Sequence, residues 1–547
     1  MTTAPLFSVV TPVYDPPPAV LVAAIESVLA QTYDDWELVL VDDASTDPEV
    51  LRTLRAQATR DPRVKVVERT ENGHIVAASN DGIAEASGTF LVFLDHDDLL
   101  APDALAVNAR RIAEHDDVDY LYSDEDRIRD DGRFADAFHK PDWSPERLRS
   151  QNYCNHLSVL RTALVRELGG LREGFDGSQD HDLVLRVTER ARRIVHIPKV
   201  LYHWRMLPGS AAGDGSAKPY ALDAGRRAVQ EHLDRTGIEG TVEIVGPGRY
   251  RTRRALPAER RVSIVIPTRG SDSVVWGRRR TLVTRAVRSA LAATDHPNLE
   301  VVVVYDADTP ETVLVELAEI AGERLVLVRY DDPFNYSHKV NLGVLASTGD
   351  RLLILNDDVE VRSEQWVEEL LAPLEQPGVG LTGARLLFSS TAIQHVGLAF
   401  SHGRYAHPFR RSPGDVLGGW GKTAVVDREV SGVTGACMGI RREVYFEVGG
   451  HTELLREDYN DVDLCYKVCA AGYRILYLAH CELFHFESQT REAIPNPDDT
   501  RFMRRRWGIP VRDRYTPVYP NLPRPEDRDV RLTGARSRGS GTTRAVE

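Results

Sequence analysis

The sequence predicts an α/β protein built as two tandem domains with mainly parallel sheets. Three observations carry this. Short apolar, β-branched runs alternate with helical stretches along most of the chain, the pattern of parallel strands joined by right-handed crossovers. Two of those runs, FLVFLDHDD at residues 90–98 and LLILNDD at 352–358, end in acids, and the carboxyl ends of strands are where open α/β sheets bind ligands. The whole order of landmarks then restarts after residue 262.

The first half begins with an apolar run at residues 7–12, broken by Pro16, Pro17 and Pro18. Residues 20–30 have helical spacing. WELVLV at 36–41 is a second strand ending in Asp42 and Asp43, followed by a turn and a helix over 49–58. A third strand covers 64–68, a helix 75–86 stops at Gly88, and the acid-tipped strand follows. A helix over 102–115 starts behind Pro102, and YLYSDED at 120–126 is a strand running into acids. Gly169-Gly170, then QDHDL at 179–183 opening a helix, lead to HIPKVLYH, a strand over 196–203. An amphipathic helix spans 218–235.

VSIVIP at 262–267 answers the first strand, 299–304 the second, Gly449-Gly450 the earlier glycine pair, NDVDL at 460–464 the QDHDL segment, and His485 answers His203. The offset grows from 255 residues at the start to 282 at the end, as insertions in a second copy produce. This gives domains over 1–245 and 262–494, a Gly- and Arg-rich linker over 246–261, and an extension over 495–547 whose polar end, from about 524, has the composition of a disordered tail.

A length of 547 residues exceeds one core. A net charge of −14 argues against a general nucleic-acid binder. Five cysteines without a CxxC pair read as reduced thiols, and Cys465 and Cys469 share a helix face without a further soft ligand. The N-terminus lacks the basic and long apolar regions of a signal peptide, and no stretch approaches the roughly 20 apolar residues of a membrane span. A cytoplasmic location is the expectation. The basic, aromatic FMRRRW at 502–507 reads as a solvated helix face and leaves room for peripheral contact with anionic lipid.

The residues themselves indicate metal and base chemistry. Asp95 and Asp97, one residue apart after a strand, suit a hard divalent cation that also holds phosphate oxygens. Asp97 and His203 are reasonable ligands, with Asp95 facing a ribose. Asp180, at the start of the QDHDL helix beside Asp182, is a candidate general base for an incoming hydroxyl; its bland alternative is a helix cap. Acid precedes histidine by 23 residues in one half (Asp180, His203) and by 24 in the other (Asp461, His485), one geometry used twice.

SVVTPVYD, VDDASTD, GHIVAASN, FLDHDD, YSDED, KPDWSP, SQNY, GSQDHDLVLRV and HIPKVLYHWR in the first half, with FNYSHKVNLG, LNDDVEV, IQHVG, VTGAC, YNDVDLC and ELFHFES in the second, resemble a tandem family 2 glycosyltransferase with two GT-A domains, of the kind that builds bacterial O-antigen and other surface polysaccharides. The resemblance covers about residues 7–240 and 262–520. It implies Rossmann-like domains and transfer of a sugar, with inversion, from a nucleoside-diphosphate donor to a glycan or lipid-linked glycan acceptor, assisted by Mg or Mn. It implies nucleotide-sugar contacts at Thr11, Pro12, Tyr14, Asp42, Asp43, Asn80 and Asp95, and at Pro267, Thr268, Asp306, Asn341, Asn356 and Asp357. Asp97 and His203, then Asp358 and His485, would hold metal; Asp180 and Asp461 would be the bases. Asp182, Trp204, Arg205, Trp420 and Asp463 would line acceptor sites.

The second half departs from the pattern twice. Asn356 stands where Asp95 does, and Val304-Tyr305-Asp306 replaces the Asp42-Asp43 pair, with Asp306 able to serve if the loop shifts by a residue. An enzyme with only the first domain catalytic, the second serving as acceptor scaffold, and a non-enzymatic carbohydrate-binding protein are the competing readings. Trp143 and Trp366 are further stacking candidates, Glu125 and Asp126 candidates to orient acceptor hydroxyls, and His395, His402 and His407 read as lining or surface residues.

Overall fold

The structure, a computed structural model, describes residues 4–129, 131–206, 219–401, 404–417, 422–486, 496–508, 512–516 and 530–531. Two large sheets organise it. The first runs Val64–Glu68, Trp36–Asp42, Phe7–Val13, Phe90–Phe93, Ser158–Arg161, Val118–Ile128, Arg193–Arg205 and Leu99–Leu100 from edge to edge, with Phe134–Phe138 branching off. Its first four strands are parallel; beyond them the sheet is mixed. The second sheet repeats the order with Leu325–Tyr330, Leu299–Asp306, Val262–Thr268, Arg351–Leu355, Cys437–Arg441, Val379–Leu387, Arg474–His485 and Val359–Val361.

The central strands are continuous apolar runs because both faces are covered. Every residue of Phe7–Val13 and Val262–Thr268 is buried. Helices Pro18–Leu29, Pro48–Arg60 and His74–Glu85 fall within two residues of their expected ends. The duplication extends to single hydrogen bonds. Ser8 Oγ donates to Glu37 Oε1 at 2.5 Å and accepts the Gly88 N–H at 2.8 Å; Ser263, Glu300 and Gly349 repeat both distances. Gly88 has to be glycine, since a Cβ there would stand 2.6 Å from the Ser8 nitrogen.

Between the sheets lie helix Pro219–Thr236 and an antiparallel pair, Thr241–Gly246 with Arg249–Arg253. The stretch expected as a linker therefore contains a strand. Its arginines are structural: Arg251 pairs with Glu369 at 2.5 Å and Arg254 with Glu146 at 2.6 Å. The two halves meet through a buried ionic cluster. Ser144 Oγ donates to Glu429 Oε2 at 2.5 Å, the Glu146 N–H reaches the same carboxylate, and Arg474 pairs with it at 2.5 Å. Glu146 and Glu429 are 0% and 1% exposed, so neither charge is tolerable without these partners.

The basic segment after residue 495 forms helix Pro497–Trp507, and its apolar side chains face inward. Met503 is fully buried, and Trp507 stacks on Tyr466 at 5.1 Å and donates its indole N–H to Asp463. Those apolar side chains pack on the protein, while Arg501, Arg505 and Arg506 of the same helix stay exposed. Arg512 continues to Asp142 of the first half at 3.0 Å. Among the described residues no helix is long and apolar enough to cross a membrane.

Candidate active site

Each sheet brings the expected acids to the carboxyl ends of its parallel strands. In the first half, Leu94 leaves its strand bonded to the Val10 carbonyl, and residues 95–98 turn before Leu99 pairs with His203. His96 Nδ1 donates to the Pro12 carbonyl at 3.1 Å, pinning the acidic turn against the first strand. In the second half, Val359 pairs with His485 in the same manner. Phe93 and Ile354 occupy equivalent registers, so the first turn has four residues and the second three, 356–358. Counted from the histidine strand, Asp98 takes the place of Asp358.

That extra residue changes the grouping. Ligand atoms of Asp95, Asp98 and His156 lie within 4.8 Å of one another. Asp98 is fully buried, accepting the Tyr202 hydroxyl at 2.5 Å and the Arg205 N–H at 2.7 Å. Burial, then the charges of Asp95 and Asp97, push its carboxyl well up. Asp95 rises to about 6 for the same reasons, burial first and Asp97 second. His156 stacks on Tyr202 at 4.4 Å, and burial, reinforced by Lys140, lowers its pKa to about 3, leaving a neutral imidazole beside the acids. His203 Nδ1 bonds Asp126 Oδ1 at 2.6 Å, and Asp97 offers its carbonyl to Arg205. The DHDD run contains Asp98 in plain view; His156, in SQNYCNH, carried no spacing signal.

In the second half the pairing is direct. His485 Nε2 stands 3.1 Å from Asp358 Oδ1, and His485 Nδ1 bonds Gln394 Oε1 at 2.7 Å. Burial would raise the Asp358 carboxyl, but His485 holds it below the usual range. Asp357 accepts the Thr268 hydroxyl at 2.7 Å and rises to about 6 through burial and its neighbour Asp358. Where His156 stands in the first half, the strand register places Ala436 in the second.

The candidate bases open helices Gln179–Arg190 and Asn460–Ala470. Burial, then the Asp95 charge, raises Asp180 to about 7. Asp461 is also raised by burial, and its Oδ2 accepts the Gly435 N–H at 2.9 Å. Tyr336 links this corner to the acidic turn, donating to Asn356 Oδ1 at 3.0 Å and reaching the Gly435 carbonyl at 3.2 Å.

At the nucleotide end, Thr11 is buried with its hydroxyl unpartnered, Pro12 borders the acidic turn and Tyr14 is 47% exposed. Asp43 accepts the Gly73 N–H and pairs with Arg69, both at 2.9 Å; Asp42 lies beside it at the strand end. Register answers the question raised by Val304-Tyr305-Asp306: Asp42 aligns with Tyr305 and Asp43 with Asp306, without a shift. Thr268 aligns with Val13. Asp306 exchanges its arginine for Lys339, buried on helix Tyr336–Ala346, whose Nζ bonds Asp306 at 2.8 Å and the Thr268 carbonyl at 2.6 Å.

Several expected contacts lie elsewhere. Asn80 bonds the Leu171 backbone through both amide atoms at 2.9 Å, and Asn341 likewise bonds the His451 backbone; each secures a Gly-Gly turn rather than facing a ligand. Asp182 is fully buried on Arg172 and Arg186. Asp463 is fully buried among Thr452, Lys467 and Trp507. Neither can touch an acceptor. Trp366 is fully buried and donates to the Ala290 carbonyl, and Trp143 packs against the core. Trp204 remains near the first site, 5.6 Å from His156, and Arg205 binds the acidic turn. Glu125 is buried against Lys140. His395 is buried with Nδ1 3.0 Å from His407 Nδ1. Trp420 and His402 fall outside the described residues.

The donor set fits a hard divalent cation: carboxylates with one imidazole in each half, one buried Asp358 oxygen outside hydrogen-bond geometry, and a histidine whose second nitrogen is held by an amide. Gln394 accepts from His485 Nδ1–H, which leaves Nε2 as the ring nitrogen that faces Asp358.

Comparison with known proteins follows this geometry. The profile described as "Glycosyl transferase family 2" matches residues 8–168 and 263–448. An uncharacterized Sinorhizobium fredii protein, y4gI, is 44% identical over 538 residues, covering 95% of this chain and 58% of that one. The O-antigen biosynthesis protein RfbC of Myxococcus xanthus is 38% identical over 502 residues, covering 91% and 39%. The chain thus spans about half the length, or less, of these relatives. A solved structure, S. aureus TarS 1-349 in complex with UDP-GlcNAc, aligns at 22% identity over 42% of this chain and 66% of that one, with a TM-score of 0.35. With its profile matched once in each half, this chain belongs to glycosyl transferase family 2.

Proposed function

We propose that the chain is a metal-dependent, inverting glycosyltransferase with two active sites, in domains over 1–245 and 262–494, that moves sugars from nucleoside-diphosphate donors onto a cell-surface polysaccharide or lipid-linked glycan. The observation that carries this reading is the repeated corner in which a half-buried helix-start carboxylate adjoins an acidic turn: Asp180 with Asp95, and Asp461 with Asn356 through Gly435 and Tyr336. The names of RfbC and of the Escherichia coli chondroitin synthase, 29% identical over 238 residues, support a polysaccharide product.

In this reading Asp43 and Asp306 orient the nucleoside, and the Thr11 hydroxyl, Pro12 and Tyr14 border it. Asp180 Oδ or Asp461 Oδ takes the proton of the acceptor hydroxyl as that oxygen attacks the anomeric carbon from the face opposite the diphosphate, so the configuration inverts. A carboxyl near 7 is matched to accepting a proton at neutral pH. A divalent cation, Mg or Mn, held by Asp95 and Asp98 with His156 in one half and by Asp358 and His485 in the other, would supply positive charge to the leaving diphosphate.

A second reading, in which only the first domain turns over, is favoured by Asn356 in place of Asp95 and by Lys339 behind Asp306. Incubation with a panel of nucleotide sugars, Mn2+ and a glycan acceptor fraction, with release of nucleoside diphosphate as readout, tests both. Release that Asp180→Asn alone abolishes supports the one-site reading; no metal-dependent release with any donor contradicts transferase activity and favours a carbohydrate-binding protein.

A further inference from the structure

The second half carries an insertion at the rim of its site that the first half lacks. After the strand Phe7–Val13 the first half turns at Asp15 (φ 44°) and enters its helix at Pro18. After Val262–Thr268 the chain makes the same turn at Gly270 (φ 67°), then adds an antiparallel hairpin, Asp272–Val275 with Arg278–Thr281, before helix Leu282–Ala292. At the hairpin's tip sits Trp276, with φ 49°, followed by Gly277 with φ 74°. A two-residue turn with both φ positive favours Asn-Gly or Gly-Gly. A bulky residue there is strained, and such outliers cluster at functional sites.

Trp276 is held in one orientation while remaining 48% exposed. Its indole N–H donates to the Ser389 carbonyl at 3.1 Å. The rings of Phe484 and Phe486, which flank His485, meet it edge-to-face, each at 5.2 Å. The Arg285 guanidinium lies 5.1 Å from the ring centroid, anchored in turn on Glu360, two residues beyond Asp358. The hairpin tip therefore packs on the strand end that carries His485 and is tied through Arg285 to Glu360, beyond Asp358. Its indole is an oriented, partly exposed aromatic surface beside that strand end.

We infer that Trp276 is a sugar-binding platform of the second site, stacking on a pyranose ring of the acceptor glycan. A fixed indole offers an apolar face to the C–H face of a pyranose at low entropic cost. The hairpin gives the second domain an acceptor contact for which the first has no counterpart, so the two sites take different acceptor residues. This rests on the glycosyltransferase reading of the site.

Saturation-transfer NMR titration of the full chain with a panel of methyl pyranosides tests it, alongside calorimetry of UDP, GDP and dTDP binding with Mn2+. In the wild type at least one pyranoside gives transfer. In Trp276→Ala its Kd rises about five-fold, the worth of one aromatic contact, while Trp276→Phe stays near wild type. Nucleotide binding is equal in all three. Unchanged pyranoside affinity in Trp276→Ala, no transfer in the wild type, or an equal loss of nucleotide affinity in Trp276→Ala overturns the platform. Absence of Mn2+-dependent nucleotide binding in the wild type contradicts the transferase reading instead, and leaves the dependence of pyranoside contact on Trp276 to be read separately.

Discussion

His485 Nε2 lies 3.1 Å from Asp358 Oδ1, off hydrogen-bond geometry, while Gln394 Oε1 accepts from His485 Nδ1 at 2.7 Å. Gln394 thereby fixes which nitrogen faces the carboxylate, as partners of metal-binding histidines do. Gln394→Leu is expected to weaken Mn2+ binding at the second site by about 10–100-fold. Gln394→Glu, which keeps the acceptor, loses little. Calorimetry in an Asp95→Asn, Asp98→Asn background isolates this site, and His485→Ala provides the reference for complete loss.

The first site should titrate near neutrality. Burial and Asp95 raise Asp180 to about 7, and a general base acts only when ionised, so kcat/KM attributable to this site rises with pH and levels above about 7. A pH–rate profile in an Asp461→Asn background reads this midpoint.

The same shift has a stability consequence. Folded Asp180 holds its proton to about pH 7, whereas in the unfolded chain it titrates near its ordinary value, 3.8. The stability that proton binding confers is present below about pH 4 and is lost as pH rises through 7. Asp180→Asn should therefore be more stable than wild type at pH 8, by about 1–3 kcal/mol, and equal to it at pH 3.5. Denaturant unfolding at the two pH values gives the comparison.

Asp182, two residues away, should behave in the opposite way. It is fully buried between Arg172 and Arg186, so Asp182→Ala leaves two arginines without their carboxylate and costs about 3–5 kcal/mol. The protein that remains folded at low temperature keeps its kcat. Thermal unfolding and initial rates measured on the same preparation separate these two roles.

Glu429, paired with Arg474 of its own half, holds the halves together through Ser144 and the Glu146 N–H. Glu429→Ala should cost about 3–5 kcal/mol at the interface and split a single calorimetric unfolding transition into two.

Much of the fold was legible because the chain states it twice. Residues 7–12 and 262–267 announce buried parallel strands, and the acids that follow later runs mark their carboxyl ends. The candidate bases Asp180 and Asp461, which open matching helices, stand out for the same reason. What stayed hidden depends on partners far along the chain. Asp182 resembles Asp180 in sequence, but two positions along the helix turn it towards Arg172 and Arg186. Asn80 and Asn341 sit in conspicuous motifs, yet each caps a Gly-Gly turn about 90–110 residues away. The one-residue difference between the acidic turns appears only when both are registered against His203 and His485. His156, Lys339 and Trp276 reach their sites through long-range contacts that leave no local periodicity.

We propose two base-bearing sites in one chain. The most direct measurement is nucleoside diphosphate release, with donor, acceptor and Mn2+, by wild type, Asp180→Asn, Asp461→Asn and the double variant. Each single substitution is expected to remove one component of the release, by about 100-fold or more for that site, and the double variant to retain neither. Undiminished release in the double variant would contradict this proposal.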